Sequence, residues 1–300
     1  MATFVSGPVS ATVPATSANL GPGYDALGIA LSLRDRVTAE VVDGADEILV
    51  TGQGVGVVPL DRTHLVHRSM RLAFEHMSVA TPGLRLVCEN LIPHGRGLGS
   101  SSAAIVAGVA LARGLVAGGS LLMDDDSVVA LAAGIEGHPD NVAPAFFGGF
   151  TVAYADNGRF RATSVAPDPR VSIVALVPAE PVETRTARAL LPDVVPHGDA
   201  ATNVGRAALL VVALGGRPEL LFAATEDHLH QDYRAPAMPG TLALVRTLRS
   251  DGLPAVVSGA GPTVLVFTEA ANQDAVAARA PEGWRALSLS LATEGLRLDR

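Results

Sequence analysis

Short segments in which apolar and polar residues alternate are separated along the chain by longer segments with apolar residues at helical spacing. In the first half, alternation predicts strands at Val9–Val13, Leu27–Leu33 and Leu84–Ile92. Helical spacing and apolar runs predict helices at Leu65–Met77, Ala103–Val116 and Ser127–Glu136. Asp124, Asp125 and Asp126 precede the last helix, and we expect them to cap it rather than to bind a metal.

The second half alternates between the two patterns, which is typical of an α+β arrangement. The predicted strands are Val171–Val177, Ala255–Val257, Thr263–Phe267 and a final strand. The predicted helices are Val204–Leu214, Pro218–His228, Leu242–Leu248 and one more before the final strand. The stretch Ala155–Arg170 is polar, contains proline and has weak periodicity, so we expect two domains, 1–155 and 156–300.

Between the first two strands, residues 15–25 are rich in glycine and polar residues. They are too polar for a strand interior, and we expect them to form a loop from which Asn19 and Asp25 project.

The segment Pro93–Ala104 joins a glycine-rich turn to three serines at the start of a predicted helix. The first backbone N–H groups of a helix lack internal partners and lie at the positive end of its dipole, so they favour an anion. Glycines allow the backbone to approach phosphate oxygens, and a serine hydroxyl could ligate Mg²⁺. The same residues also suit a plain turn in which Ser100 only caps the helix.

Composition narrows the classes of function. All 22 basic residues are arginine, which excludes a Walker loop and the eukaryotic protein kinase fold as they are usually built, because both place a lysine on the nucleotide phosphates. The formal net charge of -8 argues against nucleic acid, and no apolar run reaches the roughly 18 residues of a membrane span. The single cysteine, Cys88, and the lack of a secretory pattern predict a cytoplasmic protein in which Cys88 is buried.

Three motifs occur in a fixed order along the chain, at Pro14–Asp25, Gly97–Ser101 and Val257–Val264. Together they resemble the ordered motifs of the GHMP small-molecule kinases. Within that superfamily, Glu136–Pro144 followed by two glycines resembles the homoserine kinase family, as do Thr184–Arg188 and Leu229–Arg234.

The resemblance implies a two-domain α+β GHMP kinase fold, with an N-terminal half like ribosomal protein S5 domain 2 and a ferredoxin-like C-terminal half. ATP and the substrate would lie between the halves. The implied reaction transfers the γ-phosphoryl of MgATP to the hydroxyl of L-homoserine and gives O-phospho-L-homoserine for threonine biosynthesis. The partners would be these small molecules, without nucleic acid or membrane, and a homodimer is compatible with the family.

The resemblance also implies roles for individual residues. ATP binding is implied for Pro93, Gly95, Arg96, Gly97, Leu98, Gly99, Ser100, Ser101 and Ser102, and metal ligation for Ser101 and Glu136. Substrate binding is implied for Asn19, Asp25, His138, Thr184, Arg188 and Arg234, and catalytic roles for Asp25, Glu136 and Asn141. Gly259 and Gly261 would form a tight turn near the phosphates, although a plain hairpin turn is the alternative.

Two positions depart from the family pattern, because Ser102 stands where relatives usually have alanine and Gly134 where some carry an acid. The chemistry of the residues agrees with a kinase, since phosphoryl transfer mainly requires positioning and charge stabilisation. Asp25 is the candidate general base if one operates.

Two other functions remain open on the sequence. Another GHMP kinase could act on mevalonate, a diphosphocytidyl sugar alcohol or shikimate, although the absence of lysine weighs against mevalonate and the paired arginines favour an amino-acid carboxylate. A non-catalytic protein that senses a metabolite is the second alternative.

Overall fold

The computed structural model describes residues 3–300, and within them two β-sheets are packed with helices. The strands are β1 (Val9–Asn19), β2 (Gly23–Val42), β3 (Glu47–Gly52), β4 (Gly83–Asn90), β5 (Phe150–Asp156), β6 (Arg159–Val165), β7 (Ser172–Val177), β8 (Ala255–Val257), β9 (Val264–Thr268), β10 (Arg285–Ser290) and β11 (Arg297–Asp299). The helices are α1 (Leu65–His76), α2 (Ser100–Leu115), α3 (Gly119–Leu122), α4 (Asp125–Glu136), α5 (Val142–Phe147), α6 (Thr184–Arg188), α7 (His197–Leu214), α8 (Leu221–Ala224), α9 (Pro239–Ser250) and α10 (Gln273–Ala277).

The larger sheet has seven strands in the order β11-β1-β2-β4-β3, and β2 also pairs with β5, which pairs with β6. Its neighbouring strands are antiparallel except for β3 and β4. The smaller sheet is antiparallel in the order β10-β7-β9-β8. Numbered along the chain, that order is 4-1-3-2 with helices after the first and third strands, which is the ferredoxin-like arrangement expected for the C-terminal half.

The smaller sheet is buried on both faces because successive side chains of a strand point to opposite sides. In β7, Ile173 and Ala175 belong to the core of the larger sheet, whereas Val174 and Leu176 pack with α9 in a second core. The alternation continues in β9. The core of the larger sheet therefore extends into the C-terminal half, and a second core lies on the other face of the smaller sheet.

The expectation of a loop over residues 15–25 is wrong for most of that segment. Strand β1 continues to Asn19 and pairs with β2, which begins at Gly23, so the turn between them is only three residues long. Two irregularities interrupt the register of the hairpin, and its polar residues Thr16, Ser17 and Asn19 are buried rather than exposed. Asn19 and Asp25 lie at the two sides of the turn, each with a positive φ (67° and 55°).

The predicted helices that precede and follow the glycine-rich segment are present, and the Asp124 side chain accepts a hydrogen bond from the backbone N–H of Ser127 as a cap. Cys88 is buried, which raises the pKa of its thiol to about 12 and suits a packing role. Within residues 3–300, no helix is long and apolar enough to cross a bilayer.

The predicted domain boundary at residue 155 stays a prediction. In the structure this residue lies within the hairpin of β5 and β6. Both strands belong to the larger sheet, and β11 returns to that sheet from the C-terminal end. A boundary near β7 describes the change of sheet better, because hydrogen bonding rather than local polarity decides which sheet β6 joins.

Candidate active site

The glycine-rich segment forms a tight loop between β4 and α2. Together with the first residues of α2 it is called the phosphate loop (residues 93–101). Two of its glycines cannot be replaced without a collision. Gly97 and Gly99 have positive φ values of 73° and 70°. A Cβ atom on Gly97 would lie 2.2 Å from the carbonyl oxygen of Ser258, and one on Gly99 would lie 1.9 Å from Oγ1 of Thr16. The sequence of the loop therefore matches both its backbone conformation and its close packing.

The three motifs meet at this loop. The backbone N–H of Thr16 donates to the carbonyl of Leu98 at 3.1 Å, and Oγ of Ser258 donates to the carbonyl of Gly97 at 2.6 Å. The N–H of Gly259 donates to the carbonyl of Ala18 at 3.0 Å. The third motif is therefore packed against the other two. Gly259 lines the cleft, whereas Gly261 lies behind it, where a Cβ atom would meet Sδ of Met238.

Helix α2 begins at Ser100, with Gly99 as a left-handed N-cap that provides no side-chain hydrogen bond. The alternative in which Ser100 caps the helix is not seen. Ser100 and Ser101 line the cleft, so the free N–H groups of the first turn and the positive end of a 16-residue helix face it. This arrangement favours an anionic ligand at the loop.

Glu136 is the last residue of α4 and lies beside the start of α2. Its Oε1 accepts hydrogen bonds from the hydroxyls of Ser101 at 2.6 Å and Ser102 at 2.9 Å. None of the described side chains donates to Oε2. Ser102 is fully buried and does not line the cleft, so its hydroxyl is directed to Glu136 and not to a ligand.

Arg96 lines the cleft, and its guanidinium nitrogens donate to backbone carbonyls. Its Nη1 donates to the carbonyl of His94 at 2.7 Å and its Nε to the carbonyl of Pro178 at 3.2 Å, and its Nη2 donates to the carbonyl of Ala179. These contacts tie the phosphate loop to the segment after β7. In this arrangement the guanidinium stabilises the loop through its hydrogen bonds to backbone carbonyls.

The segment after α4 places a histidine and two further polar residues in the cleft. Nδ1 of His138 lies 2.6 Å from Oδ1 of Asp140, and its Nε2 lies 3.9 Å from Oε1 of Glu136. Burial lowers the pKa of His138, but the hydrogen bond and charge of Asp140, with the charge of Glu136, raise it above its ordinary value. Oδ1 of Asn141 accepts from the hydroxyl of Thr16 at 2.8 Å.

The opposite wall of the cleft carries an ion pair from distant parts of the chain. Nη1 and Nη2 of Arg188 each donate to one oxygen of Asp25 at 2.8 Å, and this bidentate pair raises the pKa of Arg188. Asn19 connects the turn to the third motif, since its Nδ2 donates to Gly259 O at 2.8 Å and its Oδ1 accepts from Asp25 N at 3.0 Å. Thr184 lines the cleft at the start of α6.

Arg234 is a buried cation without a carboxylate partner within residues 3–300. Its side chain is 1% exposed and lines the cleft, and burial lowers its pKa. Its Nη1 lies 3.0 Å from Nδ1 of His230 and 3.2 Å from the carbonyl of Gly259. Burying an unpaired charge is costly, so this site favours an anion.

Tyr24 and His230 support the two arginines, and the sequence reasoning assigned neither of them. The guanidinium carbons of Arg188 and Arg234 lie 5.5 Å and 5.4 Å from the centre of the Tyr24 ring. Burial lowers the pKa of His230, whose Nε2 lies 2.8 Å from the carbonyl of Gly21. The neutral ring therefore donates from Nε2 and accepts from Arg234 at Nδ1. The motif Leu229–Arg234 contained His230, but only the fold indicates its partner.

The end of the cleft lined by β2 and α1 combines apolar residues with Thr63, His64 and His94. Its walls include Val37, Val58, Pro59, Leu65 and Val66. Asp35 is the carboxylate at this end, and its Oδ1 accepts from the N–H groups of Leu91 at 2.6 Å and Ile92 at 2.9 Å. Burial outweighs these hydrogen bonds and raises its pKa to about 6. The whole cleft has a volume of about 440 Å³, enough for a ligand the size of a nucleotide.

Comparison with known proteins agrees with this geometry. The family model for the N-terminal domain of GHMP kinases matches residues 64–149, and the model for their C-terminal domain matches residues 210–286. The fold and the cleft are thus those of the GHMP kinases, a class that uses ATP.

Individual relatives show which family of GHMP kinases the chain belongs to. The homoserine kinase of Streptomyces avermitilis is 54% identical to this chain, over 97% of this chain and 96% of the relative. The homoserine kinase of Clavibacter michiganensis subsp. michiganensis is 50% identical, over 96% of this chain and 92% of the relative. The crystal structure of homoserine kinase from Cytophaga hutchinsonii has the same fold, with a TM-score of 0.84, 22% identity and 99% coverage of both chains. The chain belongs to the homoserine kinase family.

Proposed function

We propose that this protein transfers the γ-phosphoryl group of ATP to the hydroxyl of L-homoserine. The observation that carries the proposal is the pair of arginines in the same cleft as the phosphate loop. Within residues 3–300, Arg234 is buried with no carboxylate at salt-bridge distance, and Arg188 is held by Asp25. An amino-acid substrate supplies the missing carboxylate, and the family relationship supports homoserine as that amino acid.

The phosphates of ATP would lie at the start of α2, where backbone N–H groups and the helix dipole stabilise negative charge. The end of the cleft lined by β2 and α1 would take the base. The loop residues 93–101 then act through their backbone, which explains how a chain without lysine can hold a nucleotide.

Mg²⁺ fits the residues beside the loop, because the donors are hard oxygens and Oε2 of Glu136 is available. Ser101 and Glu136 would hold the ion, whose positive charge would neutralise the transferring phosphoryl group. His138 and Asn141, on the same side of the cleft, would fix the acceptor hydroxyl with hydrogen bonds.

The ion pair between Asp25 and Arg188 suits a zwitterion in particular. Entry of the substrate carboxylate beside Arg188 and Arg234 weakens the internal pair, and the substrate ammonium restores a partner for Asp25. A molecule with only one of the two charges leaves a group unpaired. Because Asp25 is occupied in this way and phosphoryl transfer has a loose transition state, we assign it to orienting the substrate before any role as general base.

A panel of acceptors tests the proposal. The purified protein is incubated with MgATP and L-homoserine, 4-hydroxybutyrate or 3-amino-1-propanol, and ADP release and the phosphorylated product are measured. Mevalonate and shikimate complete the panel. We expect turnover with homoserine, and a loss of about 10²-fold or more in kcat/KM when either charge is removed. Comparable activity with 4-hydroxybutyrate or a preference for mevalonate would contradict the proposal.

The cytoplasmic location, the homodimer and the lack of nucleic-acid or membrane partners remain proposals. Sedimentation velocity of the purified chain tests the dimer.

A further inference from the structure

We propose that Ser102 is a positioning residue that holds the carboxylate of Glu136 in place for the metal. This inference deepens the proposed function, because it rests on Glu136 as a ligand of Mg²⁺. Ser102 does not line the cleft, so any contribution to the site is made through Glu136.

The two serines differ in exposure although they donate to the same oxygen. Ser101 is exposed at the cleft, and its hydroxyl lies 2.6 Å from Oε1 of Glu136. Ser102 is fully buried, and its hydroxyl lies 2.9 Å from the same atom. A ligand in the cleft can move the side chain of Ser101, but it cannot reach that of Ser102.

This difference separates their roles when a metal binds. If Ser101 turns to present a lone pair to the ion, its hydrogen bond to Glu136 is weakened. The hydrogen bond from Ser102 is retained and keeps Oε1 fixed, so that Oε2 stays directed to the ion. Supporting hydrogen bonds of this kind orient metal ligands and lower the cost of ordering them.

The hydroxyl of Ser102 also has a local alternative that it does not use. A serine inside a helix often bonds to a backbone carbonyl three or four residues earlier. In α2, Ser102 instead bonds to a side chain 34 residues away on α4. The contact therefore connects the helix that carries the phosphate loop to the helix that carries the carboxylate.

The experiment compares Ser102→Ala with the unchanged protein in the absence of an acceptor. The affinity of a fluorescent ATP analogue is measured with and without Mg²⁺. We expect the metal-free affinity to be unchanged and the gain in affinity produced by Mg²⁺ to fall about tenfold. In turnover, the Mg²⁺ concentration for half-maximal rate should rise while KM for homoserine stays constant.

Ser69→Ala is the matched control. Ser69 is equally buried on the neighbouring helix α1, and its hydroxyl bonds only to the carbonyl of Leu65. It should leave the Mg²⁺ gain unchanged. Ser102→Cys, which nearly preserves volume but is a weak donor, replaces the alanine variant if that variant does not fold.

The inference is overturned if a folded Ser102 variant shows the same Mg²⁺-dependent increase in affinity for the ATP analogue as the unchanged protein. It is also overturned if the affinity measured without metal falls as much as the affinity measured with Mg²⁺, because Ser102 would then support only the loop. The proposed function fails separately. If the unchanged protein does not phosphorylate homoserine but Ser102→Ala loses the Mg²⁺ gain, the inference stands and the acceptor is wrong.

Discussion

The two ends of the cleft bind charge in different ways. In the proposed function, the phosphate loop recognises ATP through backbone N–H groups, two left-handed glycines and a helix dipole, and the guanidinium of Arg96 is paired with backbone carbonyls. At the proposed acceptor end, recognition would depend on side chains, with Arg188, Arg234 and Asp25 arranged around Tyr24.

The difference has a physical consequence. A backbone site is rigid and is set by conformation, so it accepts phosphate from any nucleotide that fits. A side-chain site is set by the arrangement of opposite charges, so it discriminates among acceptors. Changes at the loop should therefore affect nucleotide affinity and stability, and changes at the acceptor end should affect KM for the acceptor.

Glu136→Gln should have the largest effect, because it removes the charged oxygen between the two ends. We expect kcat to fall on the order of 10³-fold, since a metal ion contributes several kcal/mol of transition-state stabilisation. Thermal unfolding should change little. Asp126→Asn is the control, because this carboxylate lies on the same helix but is 77% exposed. Near-normal turnover of Glu136→Gln at limiting Mg²⁺ would remove Glu136 from the metal site.

Arg234→Leu should separate the two ends most clearly. The loss of a charge-assisted pair costs about 2–5 kcal/mol, so KM for homoserine should rise by one to several powers of ten while ATP affinity barely changes. Arg246→Leu, which removes an exposed arginine of α9, should leave both unchanged. Because Arg188 addresses the same carboxylate, the double variant should cost less than the sum of the single variants. Equal weakening of ATP and homoserine would exclude the carboxylate clamp.

Asp35→Asn tests, through pH, the buried carboxylate at the proposed nucleotide end. An asparagine oxygen can still accept from Leu91 and Ile92, but it carries no charge to bury. The folded state raises the pKa of Asp35 from 3.8 to about 6, so it binds the proton more tightly than the unfolded chain does. The native protein therefore loses stability relative to the variant as pH rises from about 4 to 7, by about 3 kcal/mol.

Chemical denaturation of both proteins at several pH values measures this difference. A stability difference that does not depend on pH would mean that Asp35 is not buried as a charged group in the native protein.

Gly99→Ala should have the smallest effect that is still measurable at the loop. The left-handed backbone conformation costs an alanine about 1–2 kcal/mol. The collision of its Cβ atom with Thr16 also disturbs the hydrogen bond from the Thr16 hydroxyl to Asn141. We expect ATP affinity to fall about tenfold. Gly134→Ala is the control, since a Cβ atom there meets nothing within 4 Å and should stabilise α4 by about 0.5–1 kcal/mol. Unchanged affinity in a folded Gly99→Ala would contradict the requirement for glycine.

The loop was predictable from the sequence because its determinants are local. One short segment contains all of them, namely a strand, a run of glycines and an apolar helix that begins at serines. The strand character of residues 15–19 was not predictable in the same way. Thr16 and Ser17 are polar but buried, and their hydroxyls bond to Asn141 and Ser258, which are far away in the chain.

The sequence by itself determined that a helix begins at the serines, the glycines of the loop and, through resemblance, a set of polar residues that line the cleft. Only the tertiary structure decided how those residues pair. Asp25 and Arg188 are 163 positions apart, and His230, which orients Arg234, bonds to a carbonyl 209 positions earlier. Backbone conformation and helix propensity act over a few residues, whereas the partner of a charge depends on which distant side chains folding brings within hydrogen-bond distance.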